Sequence, residues 1–246
     1  MSSPSSQLPA SYALLPPTSE SPLLATSTTQ KTAANHLFTT GAYDAALTGY
    51  LRALAPLPAY LDYEIAVLRS NIAACHVRLE QWREAMESAE GALEGLARVD
   101  GWEEEQVEDG EEESSEARET PMETLQRLGW TVDDVQRIRT KALMRRANAR
   151  MQLGKWADLE GADQDYTYLS TLSTLSSQDR KTLDLARRAL PAKMEAAKQN
   201  EMAEVMGKLK QLGNGILKPF GLSTNNFQFV KDEKTGGYSM GFDQNP

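Results

Sequence analysis

An all-helical fold, a short solenoid of three helix-turn-helix repeats, is what this 246-residue chain predicts, and three observations predict it. One helical pattern recurs at Lys31 to Tyr50, Asn71 to Ala92 and Lys141 to Tyr166. Small residues recur inside it at matching offsets. A longer stretch with apolar residues at helical period follows the third copy, where a solenoid needs a cap.

Taken in order, residues 1–29 hold eight Ser, five Pro and four Thr, with Glu20 as the only charge. That composition reads as a flexible tail. The repeats are expected over residues 30–177. The first, KTAANHLFTTGAYDAALTGYLRALAPLP, carries small or apolar residues at Ala34, Leu37, Ala46, Tyr50 and Ala53, then Pro58. The second, SNIAACHVRLEQWREAMESAEGAL, puts Ala73, Ala85, Ala89 and Ala92 at the corresponding offsets. The third, TKALMRRANARMQLGKWADLEGADQDY, keeps Ala147 and the Leu153-Gly154-Lys155-Trp156 turn but has Leu159 where the pattern expects alanine. This is the tetratricopeptide pattern of two antiparallel helices. A methyl group lets the packed backbones approach closely, and three repeats are about the minimum for a stable stack.

Between the second and third repeats, at about residues 100–120, lies an acidic insertion. Glu103 to Glu119 holds ten acids and one base, so this segment alone carries the chain's whole net charge of −9. With Gly101, Gly110, Ser114 and Ser115 among the acids it is expected to be disordered. It reads as a solvated loop, or else as a mobile acidic mimic of a ligand or a contact for a basic client. After Pro121, METLQRLGW and TVDDVQRIR look helical, with Thr131 as an N-cap and Asp133 and Asp134 in the first turn.

Residues 178–212 read as a capping helix, with Leu183, Leu190, Met194, Ala197, Met202, Val205, Leu209 and Leu212 at three- and four-residue intervals. Pro191 is expected to kink or divide it, and Gly213-Asn214-Gly215 to stop it. In the C-terminal element, 213–246, Phe227, Phe229, Tyr238, Met240 and Phe242 alternate with polar residues around a Gly-containing turn. That is a β-hairpin signal. Two strands alone are marginal in water, so the aromatic face is expected to dock on the helices or on a partner.

Five polar side chains carry the functional expectation. Lys31 and Asn35 are four residues apart and share a helix face, as do Lys141 and Arg145; Asn71 lies in the repeat between them. The first helices of stacked repeats line a concave groove, so all five can face an extended peptide. Lysine and arginine offer charge-assisted bonds to carboxylates, each worth roughly 1.5–3 kcal/mol, and asparagine adds uncharged donors. In residue type and register these five resemble the dicarboxylate-clamp repeat proteins, co-chaperones that hold the acidic Glu-Glu-Val-Asp tail of cytosolic heat-shock chaperones. The resemblance implies peptide-binding roles for Lys31, Asn35, Asn71, Lys141 and Arg145, and partners among the 70 and 90 kDa chaperone classes.

The C-terminal motifs GKLKQLGN, KPFGLSTNNFQ and TGGYSMGFDQNP are similar to those of the tetratricopeptide repeat protein 1 family of small eukaryotic adaptors. That likeness runs from about Lys31 to Pro246, leaving out the insertion, and implies a soluble cytosolic adaptor with GTPase-type clients, Ras-like or Gα. The chain departs from the pattern at Leu159 and in the acidic insertion.

Other functions find little support. There is no basic stripe for nucleic acid, and no apolar run long enough for a signal segment or membrane span. One cysteine, Cys75, excludes an internal disulfide and fits a cytoplasmic chain. His36 and His76 are the only histidines and are expected to pack between helices. No P-loop, paired CxxC or nucleophile elbow occurs, so neither enzyme activity nor a cofactor or metal is expected. The chain is expected to be a monomer. The rival readings are a scaffold for an internal peptide and an accessory subunit of an enzyme.

Overall fold

The computed structural model describes residues 15–99, 120–173, 175–220, 223–231 and 238–242, and for 220, 226–231 and 238–242 the backbone alone. The acidic insertion falls outside these residues. Eight α-helices follow one another among them: α1 (Pro17–Thr39), α2 (Tyr43–Leu54), α3 (Asp62–Arg78), α4 (Trp82–Val99), α5 (Pro121–Arg127), α6 (Val132–Leu153), α7 (Trp156–Thr171) and α8 (Ser177–Leu217). The chain divides into two compact units, Met1–Pro191 and Ala192–Pro246.

In the first unit three helix pairs, α1/α2, α3/α4 and α6/α7, pack within themselves and against their neighbours. The alanines do what the pattern requires: Ala34, Ala46, Ala53, Ala73, Ala85, Ala89, Ala92 and Ala147 are fully buried. At the α1/α2 crossing the approach is closer still. A Cβ built on Gly49 would lie 2.8 Å from the Ala34 Cβ, so only glycine fits. Leu159, the residue that breaks the pattern, is also fully buried, so the α7 position accommodates a larger side chain. Larger apolar groups fill the remaining space. Leu68, Ile72 and Cys75 pack with Ala34 and Tyr50, and Leu96, Val99, Leu125 and Val135 form a second cluster with Tyr63 and Ala142. Each fully buried leucine is worth about 1.5–3 kcal/mol.

The caps set the helix ends. Thr120 and Thr131 each form a capping box, with Glu123 and Asp134 reaching back to the cap nitrogen. The α6 helix ends at Gly154, whose φ of +71° suits a residue without Cβ.

The N-terminal segment differs from the expected tail. From Pro17 onward it is the first half of α1, started by a proline at the position where a missing N–H costs nothing. Glu20, Ser27 and Ala34 are its buried positions, seven residues apart, one stripe of the helix. The Glu20 carboxylate accepts from Arg127 Nη1 at 2.7 Å, Arg127 Nη2 at 3.2 Å and the Tyr60 hydroxyl at 2.7 Å. The lone charge of the supposed tail is thus its anchor. Thr26, Thr29 and Thr32 turn their hydroxyls onto carbonyls four residues back, satisfying them inside the helix.

One further expectation fails on α8. It continues through Gly213-Asn214-Gly215 as far as Leu217 without the expected stop, and its helical hydrogen bonding also runs on past Pro191, the residue at which the first compact unit ends. Proline removes one backbone bond, and a helix of 41 residues retains the rest. Asn214 holds what comes next: its Oδ1 accepts from the Thr224 N–H at 2.6 Å and the Thr224 hydroxyl at 2.9 Å. As to the expected cap, Leu183 and Leu190 are buried, whereas Met202, Val205, Leu209 and Leu212 are 59–64% exposed. Short 3-10 turns at Lys218–Phe220 and Thr224–Asn226 lead to β1 (Phe227–Lys231) and β2 (Tyr238–Phe242). Their backbones pair antiparallel, Phe227 opposite Phe242 and Phe229 opposite Met240. The aromatic face expected to dock lies outside the described side chains.

Candidate peptide-binding site

The first helices of the three pairs, α1, α3 and α6, carry the five predicted residues. Asn35 and Lys141 are exposed, and Lys31, Asn71 and Arg145 are half-buried. Asn35 is held from below. The hydroxyl of Tyr50, on α2, donates to its Oδ1 at 2.6 Å, and the amide NH2 of this exposed residue has no hydrogen-bond partner among the described residues. Burial pushes the Tyr50 hydroxyl up to about 12, so at neutral pH it stays a donor.

Arg145 connects the third pair to the second. Its Nη1 donates to the carbonyl and hydroxyl of Ser70, the residue next to Asn71. It also lies close enough to Tyr50 and Cys75 to interact electrostatically with both. Burial pulls the guanidinium down to about 10, which still leaves it charged at neutral pH. Asn35, Tyr50, Arg145 and Ser70 therefore form one neighbourhood drawn from four helices. Lys141 stands one turn away on α6. Desolvation first, then the cations Arg145 and Arg137, lower the affinity of its ammonium for a proton. A cavity of about 480 Å³ opens beside it, lined by Arg137, Thr140, Ser176 and Asp179 among others.

Lys31 joins the group through Glu64, whose carboxylate feels its charge. Glu64 lies two turns before Asn71, on the same face of α3. It accepts from the Trp130 indole N–H at 2.8 Å. Burial raises its carboxyl above the ordinary value. Among the described residues, no carboxylate forms an ion pair with Lys31, Lys141 or Arg145.

Arg146, adjacent to Arg145 but on another face, contrasts with it. It grips Asp165 with Nε and Nη2, and Arg150 binds the same carboxylate at 3.0 Å and Glu90 at 2.8 Å. The sequence reading missed Tyr50, Ser70, Glu64 and Trp130 as parts of the site. One signal for Tyr50 was available, because the pattern's A-x3-F carries tyrosine at Ala46-x3-Tyr50. The histidines also depart from expectation: His36 is exposed, and His76 is half-buried with its ring 2.7 Å from Gln81 Oε1. Cys75 is fully buried, and burial raises its thiol to about 11. Among the described residues no cluster of His, Cys, Asp and Glu could hold a metal, and no helix is long and apolar enough to cross a membrane.

No protein-family model matches the chain. Among solved structures it is similar to the first TPR of Spaghetti (RPAP3) bound to the HSP90 peptide SRMEEVD, at 22% identity and a TM-score of 0.43, over 68% of this chain and 97% of that one. The first TPR domain of human RPAP3, determined by NMR, is also 22% identical, with a TM-score of 0.45, over 70% of this chain and 98% of that one. The HSP90 peptide is a ligand of that protein.

Proposed function

We propose that this chain is a non-enzymatic adaptor of the cytosol whose groove clamps the acidic C-terminal tail of a heat-shock chaperone of the 70 or 90 kDa class. The observation that supports the reading most is that Lys31, Lys141 and Arg145 have no ion-pair partner among the described residues while Asn35 stands beside them with its NH2 free to donate. Half-buried cations such as Lys31 and Arg145 normally find a carboxylate in the fold. Here a ligand with two carboxylates, such as a C-terminal aspartate, would supply it. The alternative reading is a scaffold that binds an internal peptide or a GTPase-type client without a chaperone.

Calorimetry with a peptide ending in Glu-Glu-Val-Asp tests it. A dissociation constant of roughly micromolar, about 8 kcal/mol, is expected for the free acid. Amidation of the terminus weakens it strongly, and Arg145→Ala costs about 1.5–3 kcal/mol. Unchanged affinity for Arg145→Ala in a folded protein would remove the clamp. Equal affinity for acid and amide would favour a scaffold for internal peptides.

A further inference from the structure

We infer that Tyr50 is a positioning residue of the groove, its hydroxyl holding the Asn35 amide with the oxygen turned inward and the NH2 presented to the terminal carboxylate of a bound peptide. This rests on the reading above and adds to it a residue that touches no ligand. The repeat pattern asks for phenylalanine at this place. A phenyl ring would fill the same space between the helices, so packing alone does not require the oxygen. At 3% exposure, however, a hydroxyl must have a partner. Its partner is Asn35 Oδ1, 2.6 Å away and on the exposed side of α1.

The bond has a chemical consequence. An amide presents an acceptor at one end and two donors at the other, while a carboxylate only accepts. With the oxygen engaged by Tyr50, only the donors face outward. An exposed asparagine otherwise rotates freely, and a ligand would bear the cost of fixing it. Tyr50 also lies within electrostatic reach of Arg145 on α6, and it packs with Leu68, Ile72 and Cys75 of α3.

Tyr50→Phe restores the residue of the pattern and deletes one oxygen. The wild type, Tyr50→Phe, Asn35→Ala and the double variant are titrated with the free-acid peptide and its amide. Tyr50→Phe is expected to bind the free acid about three- to tenfold more weakly, to bind the amide as the wild type does, and to add no loss in the Asn35→Ala background. A wild type that treats acid and amide alike overturns the clamp and this inference with it. A wild type that prefers the acid, combined with an unchanged Tyr50→Phe or an equal loss in both backgrounds, overturns the positioning role alone. Asn35→Asp gives the second handle, should Tyr50→Phe not fold by circular dichroism: it keeps the oxygen and replaces the donors, so it is expected to bind more weakly than Asn35→Ala. Binding as tight as the wild type's overturns the inference.

Discussion

Arg145 and Arg146 are consecutive residues of one helix with opposite circumstances. Arg146 faces α7 and α4, where Asp165 and Glu90 neutralise it and Arg150. Arg145 faces α3, where its hydrogen bonds go to the neutral oxygens of Ser70 and, among the described residues, to no carboxylate. The difference separates two uses of a cation in a solenoid. Where charges are matched within the chain the arginines hold helices together, and where they are unmatched the fold has paid a desolvation cost that a ligand can recover.

The largest effect is expected where the matching is tightest. Asp165→Ala strips the carboxylate from two half-buried guanidinium groups and should cost about 3–5 kcal/mol in urea unfolding. Peptide affinity should change far less. If the two fall together, the faces of α6 are not separable as argued.

Glu20 and Arg127 form a second matched pair and give an intermediate effect. Hydrogen bonding from Arg127 holds the Glu20 carboxyl below its ordinary value of 4.5. The contribution of such a group is complete above pH 4.5 and is lost as the pH falls through the folded value. Glu20→Gln should therefore cost about 1.5–3 kcal/mol at pH 7, and the gap to the wild type should narrow in acid. A gap that stays constant down to pH 3 would mean that the carboxylate charge contributes nothing.

The smallest effect concerns the unmatched set. Glu64 interacts with Lys31 without forming an ion pair, and on the proposed function it would compete mildly with a ligand carboxylate. Glu64→Gln keeps an oxygen for Trp130 and removes the charge. Affinity for the free-acid peptide is expected to rise by about 0.2–1 kcal/mol. A measured loss in calorimetry would show that Glu64 assists binding instead.

What the sequence discloses follows the same division. The repeats are legible because small residues at fixed offsets have one physical use, close packing, and Ala34, Ala46, Ala85 and Ala92 serve it. Thr131 is legible because a cap is local chemistry. The first half of α1 is not, since its buried stripe consists of Glu20, Ser27 and Ala34 and shows no apolar period. Its anchor is 107 residues away. At Gly213-Asn214-Gly215 a local stop signal misleads for a related reason: Asn214 is bonded to Thr224, ten residues on, and the helix runs through to Leu217. The candidate groove stands between these cases. Residue types at the five positions are visible in the chain, whereas the support of Asn35 by Tyr50 and of Arg145 by Ser70 crosses between helices and is not.

The span from Glu20 to Arg127 also sets an order of events during synthesis. Chains emerge N-terminus first at about 5–20 residues per second, so Arg127 follows Glu20 by roughly 5 to 20 s. During that interval the first two helix pairs can form, but the opening turns of α1 have no cation for Glu20, whose carboxylate has only the Tyr60 hydroxyl as a partner. Until α5 has emerged, the opening turns of α1 are held through the Tyr60 hydroxyl but not by Arg127, and the hydroxyl-rich start of the helix completes its anchorage only after the first two helix pairs are in place.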